Sequence, residues 1–361
     1  MTLILGLETS CDETAAAVVE DGRLVRSSVV ASQHELHEQY QGVVPEIASR
    51  AHLEVLSPVV EQAIADAGIS LNDIGAIAVG NRPGLIGSLL VGVSAAQALS
   101  WITGKPLIGI DHVQAHLYAA SLHEPGSEPA PEPPTGAVQL GLVVSGGHTS
   151  LYQVDSPTEL HAIGRTIDDA VGEAYDKAAV ILGLGYPGGP KLDRLAQQGD
   201  PEAYDLPRSL LKPGSLDFSF SGLKTALLYT VRGRPQGRGK SARFERSEAD
   251  LSDRQRADLA ASFQAAAIGV LFTKLRRALK QLENQGKRPG ALVIGGGVSA
   301  NSLLREQSAE FGRKHDLIVR IPRLSYCMDN AAMVAGLADA YYREGRCAGL
   351  DLPAMATTAC R

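Results

Sequence analysis

Short apolar runs, each closed by a polar or glycine-bearing turn, alternate along the chain with longer stretches of helical spacing, a pattern of strands and helices. Leu3 to Leu7 predicts a buried strand. The polar turn Glu8-Thr9-Ser10-Cys11-Asp12-Glu13-Thr14 follows, and Ala15 to Val19 returns as a second strand before Glu20-Asp21-Gly22. Gln33 to Val44 is polar and loop-like, and Pro45 to Leu53 opens a long helical pattern. Ile74 to Val79 is a strand, and the glycine-punctuated turn from Asn81 to Ser88 enters an Ala-rich helix that ends near Trp101. Pro106 to Ile110 is another strand. It delivers Asp111 and His112 at its C-terminal end, where open α/β folds hold their ligands.

The layout then repeats. Leu140-Gly141-Leu142 matches Leu5-Gly6-Leu7, a serine follows each glycine by the same interval (Ser10, Ser145), and Thr14 and Thr149 close the two turns. Ser150 to Val154 returns as a strand, as Ala15 to Val19 does, which points to duplication of a strand-turn-strand unit. Between the copies, Glu124 to Gly136 is rich in Pro and Glu and reads as a linker. Later elements are a helix around Asp168 to Ala178, a long helix from Ala257 to Gln285, strands at Ala291 to Ile294 and Leu317 to Pro322, and a last long helix whose start, at Asp329, suits an N-cap. The expected divisions are therefore a first lobe at 1–123, a linker at 124–136, a second lobe at 137–345 carrying a basic loop at 232–246, and a tail at 346–361.

A hydrophobic content of 44% over 361 residues is enough for a large core and more than one domain. The net charge of −6 argues against a protein that coats nucleic acid generally. One local basic surface remains compatible with it, and the densest cationic stretch is Arg232, Arg234, Arg238, Lys240, Arg243 and Arg246. Apolar runs broken by Gly, Pro or charge give no expected membrane span. The start Met1 to Leu7 has no basic residue and meets Glu8, so it reads as a strand rather than a signal peptide. Cys11, Cys327, Cys347 and Cys360 show no paired spacing, which fits a reduced, cytoplasmic setting.

Chemistry concentrates in two patterns. If the residues after Asp111 are helical, His112 and His116 share one face and can hold a single metal ion, although such a pair also suits a plain polar helix edge. A catalytic metal wants a third protein ligand and an open position, and Asp329, Asp111 and Asp12 are all open for that role. Two imidazoles and one carboxylate suit zinc or ferrous iron. The second pattern is glycine turns after strands: Ser145-Gly146-Gly147, Gly188-Gly189 and Gly295-Gly296-Gly297. Such turns let a phosphate approach backbone N–H groups, and neither a Walker ending nor a dinucleotide fingerprint is present. A nucleotide in a cleft between lobes is the expectation, with Asp176 and Asn301, each beside a glycine turn, as candidates for a ribose or acyl contact.

The motifs Leu5 to Thr14, Gly42-Val43-Val44-Pro45-Glu46, Arg82-Pro83-Gly84-Leu85 with Gly87-Ser88-Leu89, His112 to His116, Ser145 to Thr149, Tyr186 to Pro190, Phe218 to Thr225 and Gly295 to Asn301 stand in this order between Leu5 and about Gly336. In that combination the chain resembles the tRNA N6-adenosine threonylcarbamoyltransferase family (TsaD type, formerly labelled O-sialoglycoprotein endopeptidase). The resemblance implies an α/β, duplicated actin-like (ASKHA) ATPase fold with two lobes and an interlobe cleft. It implies His112, His116 and Asp329 as ligands of one divalent metal, Fe2+ ahead of Zn2+. It also implies substrate contacts at Val143, Val144, Ser145, Gly146, Gly147, Asp176, Gly189, Asp193 and Asn301. The implied reaction moves a threonylcarbamoyl group from threonylcarbamoyl-AMP to N6 of adenosine 37, 3′ of the anticodon, in tRNAs reading codons that begin with A. No catalytic base is assigned; Asp12 and Glu13 are the candidates. The implied partners, besides tRNA and the adenylate, are a degenerate paralogue (TsaB type), a small P-loop ATPase (TsaE type) and a separate synthase, with no membrane. Two positions depart from the family's pattern: Gln114 stands where Glu is usual, and the 232–246 insert is long. The rival readings are an actin-fold ATPase or small-molecule kinase and a metalloprotease, the latter opposed by Val113 in place of the general-base Glu.

Overall fold

The computed structural model describes residues 1–40, 42–185, 187–209, 212–237 and 244–358. The first sheet is built from β1 (Leu3–Glu8), β2 (Glu13–Glu20), β3 (Leu24–Ser32), β4 (Ala76–Arg82) and β5 (Leu107–Asp111). The second is built from β6 (Gln139–Val144), β7 (Thr149–Ser156), β8 (Glu159–Arg165), β9 (Ala291–Gly295) and β10 (Ile318–Arg320). Read in the same direction, the strand orders are β3-β2-β1-β4-β5 and β8-β7-β6-β9-β10. Each sheet joins an antiparallel meander to two parallel strands: β1 pairs antiparallel with β2 and parallel with β4, as β6 does with β7 and β9. The duplication expected from the two Leu-Gly-Leu strands is thus a duplication of whole sheets. The central strands are buried on both faces, which is why β1 and β9 are continuous apolar runs rather than alternating ones.

Helices cover the sheets: α1 (His34–Glu38), α2 (Pro45–Asp66), α3 (Ile86–Thr103) and α4 (His112–Tyr118) come from the first half of the chain. From the second half come α5 (Val171–Ile181), α6 (Gly188–Ala196), α7 (Ser221–Arg232), α8 (Asp253–Asn284), α9 (Ser302–His315) and α10 (Ala331–Arg343). The stretch expected to be loop-like between Gln33 and Val44 contains α1, whose buried His37 donates from Nε2 to Gln33 Oε1 and accepts at Nδ1 from Val44 N. Two helices, α3 and α8, reach the length and hydropathy of a membrane span, which the broken apolar runs did not lead one to expect. Of the apolar window in α8, 78% is buried inside the protein, and α3 lays Leu89, Val93 and Ala96 on the first sheet while Trp101 and Ile102 are exposed.

The division at 137–345 needs correction. Helix α10 packs on the first sheet, with Met333, Val334 and Leu337 joining Ile4, Ala17, Ala78 and Ile108 in one core. Helix α4 makes the reciprocal crossing: Val113 and Leu117 pack with Val143, Tyr152 and Val293 of the second sheet. The two halves exchange the helices that follow their last strands. The tail is not free either, because Leu352 and Ala354 pack on the first lobe's core.

Candidate active site

Residue Asp111 ends β5 and caps α4, its Oδ1 accepting from Val113 N (3.0 Å) and Gln114 N (3.4 Å). Capping uses this carboxylate, so Asp111 is not a third ligand. One turn apart on α4, the rings of His112 and His116 meet edge to face with centroids 4.6 Å apart. Facing them is Asp329, whose Oδ1 lies 3.4 Å from His112 Nε2 and 3.2 Å from His116 Nε2. Asp329 does not cap α10 as expected. That role belongs to Asn330, whose Oδ1 accepts from Met333 N (2.9 Å) while its Nδ2 donates to Met328 O (2.8 Å) and so pins the loop that presents Asp329.

The electrostatics follow from burial and pairing. Burial would drive the Asp329 carboxyl up, but His112 and His116 hold it well below the usual carboxylate value. Burial likewise opposes charge on His112, yet Asp329 and Glu8 raise it well above the ordinary imidazole value. For His116, burial and then the charge on His112 win, and its value falls. His116 is fully buried, and among the described residues neither ring nitrogen makes a well-aligned hydrogen bond. A buried imidazole pair with such an orphan, beside a charged carboxylate and with ligating atoms all within 4.8 Å, fits a divalent metal.

Sequence reasoning missed Glu8. It is fully buried at the end of β1, and its Oε2 is 3.0 Å from His112 Nδ1 while its Oε1 accepts from Ser10 N (2.6 Å). Burial would raise its carboxyl, but His112 and the Ser10 hydrogen bond hold it below the ordinary value. Gly80 makes room for it, since a Cβ there would sit 2.5 Å from Glu8 Oε2. A carboxylate behind a metal-ligating histidine fixes the tautomer and ring orientation. Of the two candidate catalytic carboxylates, Glu13 is pushed up to about 10, first by burial and then by Asp329 and Asp12. Gln114 is structural, donating to Pro157 O (2.6 Å) and accepting from Tyr341 Oη (2.9 Å).

The expected substrate residues fall into two groups, the turn that ends β6 and the contacts around α6 and the start of α9. Val143 and Val144 are fully buried, and the exposed tip of the turn is Gly146 and Gly147. Ser145 closes it by exchanging bonds with the His148 backbone (2.8 and 3.1 Å). His148 is depressed to about 4, by burial and then by His112 and His116. A side chain on Gly295 would strike the His116 carbonyl, and one on Gly297 would sit 3.1 Å from Met328 Sδ, so the third glycine turn lies against α4 and the loop before Asp329.

Asp176 accepts from Gly188 N (2.9 Å) and Gly189 N (3.3 Å), which anchors the start of α6. Asp193 accepts from Ser302 Oγ (2.7 Å) and Gln264 Nε2 (3.1 Å), and Asn301 donates from Nδ2 to Gln264 Oε1 (2.8 Å) while capping α9. Gln264, buried on α8, is therefore the hub between Asp193 and Asn301, and nothing in the apolar spacing of α8 announces it. In the basic loop, Arg232 pairs with Glu248 (2.9 Å) and Arg246 reaches Thr230 O (3.1 Å). Arg238, Lys240 and Arg243 lie outside the described residues, as do Tyr186 and Cys360.

Comparison with known proteins places this site in context. Residues 24–336 match the family described as TsaD, tRNA N6-adenosine threonylcarbamoyltransferase. A protein of that name from Trichlorobacter lovleyi is 51% identical over 355 residues, covering 98% of this chain and 96% of the relative. Another, from Symbiobacterium thermophilum, is 49% identical over 354 residues, covering 98% and 95%. Among solved structures, HypF from T. kodakarensis superimposes with a TM-score of 0.59 at 13% identity, covering 96% of this chain and 48% of that one. Full-length HypF in its phosphate- and nucleotide-bound form gives 0.57 at 12% identity, covering 96% and 56%, and both are likenesses of fold.

Proposed function

This chain belongs to the tRNA N6-adenosine threonylcarbamoyltransferase family and is an acyltransferase that modifies tRNA, and from that premise we propose its donor, acceptor and site. The donor is threonylcarbamoyl-AMP. The acceptor is N6 of adenosine 37, next to the anticodon on its 3′ side, in tRNAs reading codons that begin with A, and AMP is released. What supports the reading is that the Gly295-Gly296-Gly297 turn packs on the His116 carbonyl and on Met328 beside Asp329, with the Ser145-Gly146-Gly147 turn next to it through Gly296.

The donor is a mixed anhydride and already activated, so the protein has to orient it and offset developing charge rather than supply a nucleophile. N6 attacks the carbamoyl carbonyl, the new C–N bond forms as the C–O bond to AMP breaks, and N6 gives up one proton. His112, His116 and Asp329 would hold one divalent metal, Fe2+ or else Zn2+, which when bound supplies Lewis-acid stabilisation of carbonyl oxygen. Backbone groups from Ser145 to Gly147 receive the adenylate phosphate, with Val143 and Val144 setting that turn from the buried end of β6 and Gly189 lining the approach. Asp176, Asp193 and Asn301 face the ribose and acyl portions. Asp12 and Glu13 are the candidates to accept the N6 proton; burial, then Asp329 and Asp12, push the Glu13 carboxyl up to about 10.

Family membership supports the partners: a degenerate paralogue of TsaB type, a small P-loop ATPase of TsaE type, and a synthase that makes the adenylate. The tRNA acceptor and the free thiols of Cys11, Cys327 and Cys347 support a cytoplasmic location. The test incubates the protein with threonylcarbamoyl-AMP and unmodified tRNA, with and without the paralogue. Modified adenosine and AMP in equal amounts are expected, with loss in His112→Ala. Phosphoryl transfer to a small metabolite, with tRNA untouched, would overturn the reading in favour of a kinase.

A further inference from the structure

Beyond α10 the chain runs back across the first lobe and reaches the ligand helix. Ala348 N donates to Leu107 O (2.8 Å), which places the tail beside β5. Leu352 then closes on Gly109, where a Cβ would lie 2.7 Å from Leu352 Cδ1, and Gln97 Nε2 holds Leu352 O (3.0 Å). Asn81 grips the next turn twice, through Nδ2 to Pro353 O and through its carbonyl to Met355 N, both at 2.9 Å. Thr358 Oγ1 then donates to Asp111 Oδ2 (2.7 Å). Oδ1 of the same carboxylate caps α4.

We propose that the tail is a strap and that Thr358 is a positioning residue for the metal ligand His112, acting through Asp111. The torsion that turns a carboxylate about its Cβ–Cγ bond is broad, so a cap held at one oxygen alone is free to rotate away from the helix N–H groups. The Thr358 hydroxyl takes the second oxygen and restrains that rotation. Because α4 has only seven residues and His112 is the first of them, its start depends on this cap. The strap therefore fixes where His112 points, from a segment that holds no member of the cluster among its described residues. Any pull on residues 346–358 would be felt at the metal.

The inference rests on the proposed metal site, and the test separates the two. Co2+ is titrated into the full-length wild type, His116→Ala, Thr358→Val and Thr358→Ser, following both affinity and the visible d–d bands. Wild type is expected to bind one ion, and His116→Ala to bind none. Thr358→Val should weaken binding by roughly three- to tenfold, less than loss of a direct partner to a ligand, with shifted bands. Thr358→Ser, which keeps the hydroxyl, should restore both. Equal affinity and spectra for wild type and Thr358→Val, with His116→Ala inactive in binding, would overturn the strap and leave the metal standing, as would equal loss in the Val and Ser variants. No Co2+ bound by wild type would overturn the metal and the strap together.

Discussion

Glu8 keeps a negative charge with no access to water, which costs several kcal/mol unless partners compensate it. Its partners are His112 and the Ser10 amide, and its carboxylate occupies the space left by Gly80. Glu8→Gln is expected to lower metal affinity by roughly 10- to 100-fold, the usual cost of losing a partner behind a ligand, read by metal titration. Gly80→Ala should do the same by displacing that carboxylate; unchanged affinity in both would remove Glu8 from the site. His148 offers a pH test. Its folded value of about 4 lies below the ordinary 6.5, so between these values the unfolded chain binds more protons. Stability from this group is complete above about 6.5 and falls as pH drops toward 4, by at most about 1.4 kcal/mol per pH unit. His112, raised when metal-free, acts in the opposite sense, so the measurement is a difference: metal-free His148→Gln should lose less stability than wild type from pH 6.5 to 4. The sequence showed His112 and His116 because helical spacing is legible in one dimension. Glu8 and His148 were invisible in these roles, since burial and facing partners come from other elements, His112 standing 104 positions from Glu8 and on a different sheet's helix from His148.

At the scale of elements, helix ends place the chemistry. Asn330 rather than Asp329 caps α10, and that choice frees the Asp329 carboxylate to face the imidazoles. Asn330→Ala should cost about 1 kcal/mol and weaken metal binding as well, because the same side chain pins Met328 O. A variant that loses stability but keeps its metal affinity would separate the two roles. In α8, Gln264 spans the gap between Asp193 and Asn301. Gln264→Leu keeps the volume close but takes one hydrogen bond from Asp193 and leaves Asn301 Nδ2 without its Gln264 acceptor, so KM for the adenylate should rise by about tenfold, one lost hydrogen bond with its desolvation, with metal affinity unchanged. Steady-state kinetics beside a metal titration decide it, and a fall in kcat alone would place Gln264 elsewhere in the reaction. The pattern of α8 marks its apolar face well, and a glutamine within that face reads only as an interruption.

Across the whole molecule, the metal ligands stand where the halves exchange helices. His112 and His116 ride on α4 as it crosses to the second sheet, and Asp329 stands just before α10, which crosses to the first. This is why ligands more than two hundred residues apart in sequence converge, and why a boundary drawn at 137–345 from composition put α10 on the wrong side. The repeat of strands was legible because each copy carries its own turn residues. The crossing was not, since an Ala-rich helix face fits either sheet equally well in one dimension. Two consequences can be measured together. Amide exchange in Ala331–Arg343 should follow that of β1 and β4, not of β6 and β9, and Leu337→Ala, which removes a fully buried side chain, should cost about 2–5 kcal/mol and loosen the first sheet foremost. Metal should then protect both crossing helices at once, raising stability by about 2.7 kcal/mol at a hundredfold excess over its Kd. A chelator should release α4 and α10 in step; release of one helix without the other would mean the site does not join the two halves.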